Sequence, residues 1–446
     1  MTNFNLKKYK NIHMIGVGGI SMSGLASFLL ANGVKVSGSD ISKNSNIEEL
    51  IKNGLQFYLK HDENNITSEI DLVIYSGAIK DDNPEIVKAK RLKTLLIERS
   101  EFLGEISKLF NVSIGIAGTH GKTTTTAILS EILMQTKLNP TISIGGNING
   151  LSNFIIGDNK VFICEACEYR ESFKFLNCNY AIITNIEADH LDYYKTFENL
   201  QNAFINFASN VKQKVVTYKN QYLDASKNII NCGDDFSFEY NYKIIKQEKF
   251  KTNFEVYNYS KLVGEYEINL SQEYNIINAL LAIVMAYELN VDEKLIKKGL
   301  VEFKGVERRN EKLGEICGVP VVADYAHHPT EIKESLQSAK KIFEKVLCVF
   351  QPHTYSRTKT LKKEFESCFE NADEVCFFKT YPAREPFDEE GSEKVIFNGC
   401  ENPNKKLFYD IFELFAYLKQ SAKNFDAILV LGAGDLYDII KKMLIK

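Results

Sequence analysis

A lysine set between a glycine and a run of hydroxyl residues is chemistry for a polyphosphate, and this chain carries one at Ala117 to Thr126, AGTHGKTTTT. In such a loop glycines let the backbone fold around an anion and amides at the following helix start point at it. The lysine reaches the β and γ phosphates, and a hydroxyl ligates Mg²⁺. Here Gly118 and Gly121 make the turn, Lys122 is the charge and Thr123 the metal hydroxyl. The loop departs from the general G-x-x-x-x-G-K-[ST] pattern, because Ile116 stands where the first glycine belongs. The plainer reading, a strand-to-helix turn with a capping threonine, is disfavoured by the G-K-T-T core.

A metal-bound phosphate also needs hard ligands, one or two protein groups beside retained waters. Two segments offer them: Glu165 and Glu168 after VFIC, and EADH at Glu187 to His190 after YAIITNI. Each follows an expected strand, and open α/β sheets collect ligands at the carboxyl ends of their strands. A single carboxylate there is more often a solvated loop charge, so both segments gain weight only beside the phosphate loop. Cys164 and Cys167 form a C-x-x-C, but no second pair lies at zinc spacing, and the nine cysteines read as reduced core thiols.

A second glycine-rich turn, GVGGISMSG at Gly16 to Gly24, puts Ser21 in place of the third glycine of G-x-G-x-x-G, and Asp40 ends the next strand where a ribose hydroxyl would be held. A nicotinamide cofactor, a nucleotide-sugar diphosphate and a structural turn are all compatible with it. Farther on, ADYAHHPTE supplies Asp324, Tyr325, His327 and His328, QPHTYSRT supplies His353 and Arg357, and Arg308 and Arg309 come just before. Converging cations suit the neutralisation of a transferring phosphoryl group; scattered surface charge is the bland alternative.

The elements that must position these groups follow an α/β rhythm. Short runs rich in Ile and Val alternate with longer amphipathic segments, the signature of mostly parallel sheets. Three series separate: NIHMIG through DLVIYSGAI, ending near Leu103; NVSIGIAG through the helical patterns Asn275 to Leu289 and Glu293 to Leu300; and VPVVADYAHHP through AILVLGAGDL to a terminal helix. Between Lys212 and Gln272 the pattern is shorter and more β-like, a meander inside the second series. A length of 446 residues agrees with about three domains. With 54 basic against 58 acidic residues, nothing draws the chain in bulk onto nucleic acid or anionic lipid, so an anionic ligand must be held locally. The uncharged run Met14 to Val34 is interrupted by Gly16, Gly18, Gly19, Ser21, Ser23, Gly24 and Asn32, which excludes a spanning helix and points to a folded, cytoplasmic protein.

In order along the chain, GVGGISMSGLA, VSGSD, SGAIKDDNPE, GTHGKTTT, EACEY, TNIEADHLDYY, YNIINAL, GVERRNE, DYAHHPTEI, FQPHTYSRT and GAGDL resemble the ATP-dependent Mur ligases of peptidoglycan synthesis over essentially the whole length. The resemblance implies three domains: a Rossmann-like domain at 1–106 for the UDP part of the substrate, a central P-loop ATPase domain at 107–305, and a Rossmann-like ligase domain at 306–446. It turns the first glycine turn toward a UDP-sugar, with Gly16, Gly18, Gly19, Ser21, Asp40 and Ser76 on the substrate. It places Gly118, Thr119, His120, Gly121, Lys122, Thr123 and Thr124 on ATP and Mg²⁺, with Mn²⁺ as an alternative. Thr123 and Glu168 would ligate the first metal and His190 the second. Asn278 and Arg309 would contact the nucleotide and Asp324 its ribose, while Tyr325, His327 and Arg357 face the amino acid and the transferring phosphate. Cys167 and Thr354 stand where many relatives carry Asp and Arg, and neither is given a role.

The implied reaction joins L-alanine to the carboxylate of UDP-N-acetylmuramate. A carboxylate is a poor acyl donor, so ATP first converts it to an acyl phosphate, which the amine then attacks. Lys122, His190, His327 and Arg357 are the expected catalytic groups, with His327 or His328 as the base for the amine. The expected partners are these two small molecules, with no nucleic acid and no membrane insertion, and the chain acts as a monomer or homodimer. A recycling ligase that adds a whole peptide to the same sugar nucleotide is the rival within the family; a nicotinamide-dependent oxidoreductase and a P-loop switch are the rivals outside it.

Overall fold

The structure is a computed structural model and describes residues 6–146, 153–158, 160–223, 228–383 and 385–444. Its first sheet is parallel, with β1 (Asn11–Ile15), β2 (Lys35–Asp40), β3 (Gln56–Leu59), β4 (Leu72–Tyr75) and β5 (Leu95–Glu98) in the order β3-β2-β1-β4-β5. The order reverses at β1, so the crevice at its carboxyl end is a topological switch point, and the glycine turn at 16–19 lies there. The uncharged run at 14–34 thus becomes the end of β1, this turn and the helix Ile20–Ala31. Met22, Leu25, Ala26, Phe28 and Leu29 of that helix are buried, which explains its apolarity without a membrane. Among the described residues no helix is long and apolar enough to cross a membrane.

The second sheet has ten strands in the order β15-β14-β13-β12-β11-β10-β6-β9-β7-β8. They are β6 (Val112–Ala117), β7 (Thr141–Ser143), β8 (Phe154–Ile155), β9 (Val161–Glu165), β10 (Tyr180–Ile183), β11 (Lys214–Tyr218), β12 (Ile229–Gly233), β13 (Tyr240–Glu248), β14 (Lys251–Asn258) and β15 (Lys261–Ile268). β6 is central and parallel to β9 and β10, and it ends in the phosphate loop. The expected meander is the antiparallel run β13-β14-β15, while β11 and β12 before it continue the parallel sheet. Helix Lys122–Met134 packs on Glu273–Glu288 and Glu293–Glu302.

These two sheets share a core in which Phe28 meets Phe110 and Phe154 at ring separations of 6.4 and 5.8 Å. By packing, the chain divides into two compact units, 1–304 and 305–446. The second unit holds one sheet, β16-β17-β21-β18-β19-β20, made of β16 (Glu311–Ile316), β17 (Val319–Asp324), β18 (Val346–Phe350), β19 (Glu374–Phe378), β20 (Lys405–Phe408) and β21 (Ala427–Leu431). Only β16 runs antiparallel. Polar, alternating EKLGEI hides it from a search for apolar runs.

Candidate active site

The phosphate loop leaves β6 in a conformation that its glycines alone allow. Gly118 has φ +135°, and a Cβ there would meet the Thr184 hydroxyl; Gly121 has φ +82°, and a Cβ would sit 2.6 Å from Asn278 Oδ1. Lys122 opens the helix, with Nζ donating to Gly118 O at 2.5 Å, to Thr119 O at 3.1 Å and to Glu168 Oε1 at 2.9 Å. The ammonium therefore lies across the mouth of the loop that the anion would fill. Thr123 and Thr124 follow, half-buried, in the first turn.

The loop is clamped from the segment after β10. Asn185 Oδ1 accepts from the His120 amide at 2.9 Å, and Asn185 Nδ2 and Thr184 Oγ1 both donate to His120 O, at 3.1 and 2.5 Å. Thr119 N donates to Asn185 O at 3.1 Å, and Glu187 N to Thr119 Oγ1 at 3.0 Å. Neither Thr184 nor Asn185 was singled out from sequence. The motif TNIEADH offered only its acids and histidine as chemistry, and the clamp spans about 65 residues.

Of the carboxylates read as metal ligands, the structure brings Glu168 together with Asp189 and His190. One ligand atom from each lies within 4.8 Å of the others, and this is the only such group among the described residues. Glu165 turns away and accepts from Gly145 N at 2.8 Å; Glu187 faces His120 at 3.9 Å. Glu168 is 2% exposed; Oε1 meets Lys122, and Oε2 is buried without a hydrogen-bond partner among the described residues. An orphaned buried carboxylate oxygen beside an acid and an imidazole fits a divalent cation. His190, in left-handed backbone at φ +53°, rests its ring on Tyr169 at 4.9 Å, which aims Nε2 at Glu168 Oε1 at 3.7 Å. The cysteines of the C-x-x-C take no part: Cys164 is buried in β9 and Cys167 half-buried, its thiol pushed up by burial.

At the carboxyl edge of the first sheet, the amides of Gly16 and Val17 donate to Ser39 O, and Gly18 N donates to Asp40 Oδ2 at 3.0 Å. Asp40 Oδ1 accepts from Ile41 N at 2.7 Å, so this buried carboxylate braces the turn through its own chain. Gly19 caps helix Ile20–Ala31, Ser76 packs against Gly16, and Ser21 accepts from Arg99 at 3.1 Å. Asn278, 5% exposed, closes over Gly121.

In the second unit Asp324 ends β17. Its two oxygens accept from Asn310 N and Ala326 N, each at 3.0 Å, and burial raises its pKa against the pull of Arg309. Tyr325 lies between the guanidiniums of Arg308 and Arg309, at 6.0 and 5.7 Å. Arg308 is tied off by Asp438 at 2.9 Å, whereas Arg309 is exposed. The adjacent histidines diverge. His328 caps helix Pro329–Lys340, its Nδ1 accepting from Thr330 N at 3.3 Å in a capping box with Glu331. His327 Nδ1 lies 2.9 Å from Tyr325 O, and a carbonyl only accepts, so Nδ1 carries the proton and Nε2 keeps its lone pair. Burial lowers the His327 pKa, and Arg357 and His328 add to the effect. Arg357 Nη1 donates to His353 Nδ1 and to His353 O, both at 3.1 Å, and His353 stacks on Tyr381 at 5.6 Å. Thr354, at φ +68°, begins helix Tyr355–Thr360 and carries no charge.

Three family profiles match successive stretches: "Mur ligase family, catalytic domain" at residues 11–111, "Mur ligase middle domain" at 116–286 and "Mur ligase, glutamate ligase domain" at 308–434. The UDP-N-acetylmuramate–L-alanine ligase of Clostridium kluyveri is 42% identical, with 98% of each chain covered. Among solved structures, the UDP-N-acetylmuramate-alanine ligase of Thermotoga maritima superimposes with a TM-score of 0.79 at 28% identity over 98% of both chains. A murein peptide ligase from Psychrobacter arcticus shares the fold, with a TM-score of 0.68 at 23% identity over 98% of both. The three matches cover the phosphate loop, the Glu168 cluster and the Tyr325–Arg357 segment in one order, and the chain belongs to the Mur ligase family.

Proposed function

We propose that this chain joins L-alanine to the carboxylate of UDP-N-acetylmuramate with ATP, through an acyl phosphate, giving ADP and phosphate in cytoplasmic peptidoglycan precursor synthesis. What carries the reading is the phosphate loop whose lysine meets a buried, half-satisfied Glu168, in a chain 42% identical along its length to an L-alanine ligase. The peptide-adding alternative is not favoured: the alanine ligase superimposes with a TM-score of 0.79, two murein peptide ligases with 0.68 and 0.61. An oxidoreductase leaves the phosphate loop without a use.

Two anions must meet before acyl phosphate forms, so the protein's task is charge and position. The amides from Gly118 to Thr124 and the ammonium of Lys122 hold the triphosphate, Lys122 exchanging its carbonyl contacts for phosphate oxygens. Thr123 and Glu168 would hold a first Mg²⁺, or Mn²⁺, and His190, with Asp189 beside it, would help hold a second; each would supply further neutralisation of phosphate charge when bound. The turn at Gly16, Gly18, Gly19 and Ser21, with Ser76 opposite, receives the UDP group, Asp40 fixing the turn. Asn278 and Arg309 serve the nucleotide and Asp324 its ribose.

Of the two histidines, His327 suits the base for the amine: its Nε2 is the unprotonated nitrogen, and its lowered pKa keeps it neutral near pH 7. Arg357 provides the charge for a carboxylate or phosphate, and Tyr325 a wall for the amino acid. Purified protein is expected to release phosphate from ATP only when UDP-N-acetylmuramate and L-alanine are both present. Release indifferent to the muramate, or a tripeptide outcompeting alanine, overturns the proposal.

A further inference from the structure

A half-buried guanidinium without an acid is an unfinished interaction, because taking such a charge partly out of water is costly unless an anion meets it. Among the described arginines, Arg91 and Arg308 pair with carboxylates, and Arg170 and Arg309 are exposed. Two are half-buried with no carboxylate in ion-pair distance: Arg357, already given an anion above, and Arg99, which has no assignment.

Arg99 is the first residue of helix Arg99–Ser107, just beyond the carboxyl end of β5. That is the edge of the first sheet where the glycine turn opens, and the guanidinium reaches back to it, Nη1 donating to Ser21 Oγ at 3.1 Å. On its other side it lines a cleft with Cys167 and Glu165. Glu165 is engaged by Gly145 N at 2.8 Å. Cys167 immediately precedes Glu168, whose Oε1 meets Lys122. Arg99 therefore joins the glycine turn that would hold a diphosphate to a cleft whose Cys167 is next in sequence to the acid that would hold a metal. Its planar fork suits an oxyanion.

We propose that Arg99 binds an oxyanion of the sugar-nucleotide substrate, its diphosphate or its lactyl carboxylate. The inference rests on the substrate reading above. It makes Arg99 a substrate-binding residue that fixes the acid relative to the phosphate loop.

The test is titration calorimetry of the full chain and its Arg99→Gln and Arg99→Lys variants with UDP-N-acetylmuramate, with UDP-N-acetylglucosamine, which has the diphosphate but no lactyl acid, and with ATP. Arg99→Gln is expected to weaken UDP-N-acetylmuramate on the order of 10- to 100-fold, the loss of a charge-assisted pair, with ATP changed less than about twofold. Arg99→Lys restores part of the affinity, since it keeps the charge and loses the fork. An equal loss for UDP-N-acetylglucosamine assigns Arg99 to the diphosphate; an unchanged value assigns it to the carboxylate. Wild-type affinity for UDP-N-acetylmuramate in both variants overturns the role of Arg99 alone, whereas failure of the unaltered chain to bind it overturns the substrate reading and this inference with it. Melting curves of both variants show whether the fold is kept, and the lysine variant keeps the charge if the glutamine variant does not fold.

Discussion

Asn185 provides the sharpest test of how the phosphate loop is shaped. Its side chain both accepts from the His120 amide and donates to the His120 carbonyl, so one amide group fixes the peptide on either side of that residue. Asn185→Ala removes both bonds, each worth about 0.5–1.5 kcal/mol net. The carbonyl retains Thr184 as a donor, and His120 is exposed, so water replaces much of what is lost. The expected cost is therefore about 1 kcal/mol, near the lower end of the range, and it falls on the weight of the anion-ready loop against its alternatives. Apparent affinity scales with the fraction of competent protein, so KM for ATP rises by at most about fivefold while UDP-N-acetylmuramate binding stays unchanged. Asn185→Asp keeps the acceptor but sets a carboxylate oxygen against the His120 carbonyl and beside the triphosphate, so it is expected to lose more ATP affinity than the alanine variant. Steady-state phosphate release against ATP concentration, with both other substrates saturating, reads the effect. Aspartate binding ATP better than alanine at this position would refute the clamp, as would a wild-type KM in both variants.

Four further outcomes follow from the structure. Lys122→Ala is expected to reduce phosphate release by about 10²–10³ or more with circular dichroism unchanged, and Glu168→Gln to raise the Mg²⁺ concentration for half-maximal rate at least about tenfold; a normal rate or a normal metal requirement sinks the assignment. For His327, burial disfavours the imidazolium, so its proton is lost at lower pH and the base form exists from below 6.5 upward; the acid limb of kcat/KM for alanine is expected to have its midpoint below 6.5 and to vanish in His327→Gln, and a limb that survives that change assigns the base elsewhere. Burial raises the pKa of Glu85, but the His13 imidazole 3.4 Å away and hydrogen bonds from Ser39 and Asn65 outweigh it and the net direction is down, so its stabilisation is complete above 4.5 and fades as pH falls through the folded value. Glu85→Ala, which strips fully buried His13 of that carboxylate, is expected to cost about 2–3 kcal/mol in urea melts at pH 7 and progressively less below pH 4.5; a pH-independent difference contradicts this.

Local signals carried most of the fold. The strand–turn–helix at Val112 to Met134 and its counterpart at Asn11 to Ala31 are both visible as an apolar run, a glycine turn and a helical period. Strands without an apolar run were invisible: Gln56–Leu59 is largely exposed, and Glu311–Ile316 is an edge strand with a mostly open face. Within the site, residues beside their own motif were legible, as Lys122, Glu168 and His190 show. The order of charge across elements was not, because it depends on contacts between distant strand ends. Asp189 and His190 meet Glu168, while Glu165 and Glu187, equal candidates by spacing, turn to Gly145 and His120. The Thr184–Asn185 clamp likewise has no local signature, since its hydrogen bonds reach back some 65 residues.

The histidine pair shows how far local chemistry alone separates two adjacent imidazoles. Pro329 is suited to a first helical position, because its missing N–H has no intrahelical acceptor there and its φ is already helical. That makes His328 the residue before the helix and Glu331 the third within it, the spacing of a reciprocal cap. His328 is thereby committed to orphan amides, with its Nδ1 on Thr330 N. His327, one residue earlier, escapes that duty, and its ring returns to Tyr325 O, which fixes the proton on Nδ1. The neighbouring His353 takes the opposite tautomer, because Arg357 can only donate and Nδ1 must accept. Two imidazoles with ring centres 6.0 Å apart thus present different groups at Nε2, a lone pair on His327 and an N–H on His353. Only the first can take a proton from an amine while neutral, so the choice of base comes from hydrogen-bond polarity rather than from the number of histidines nearby.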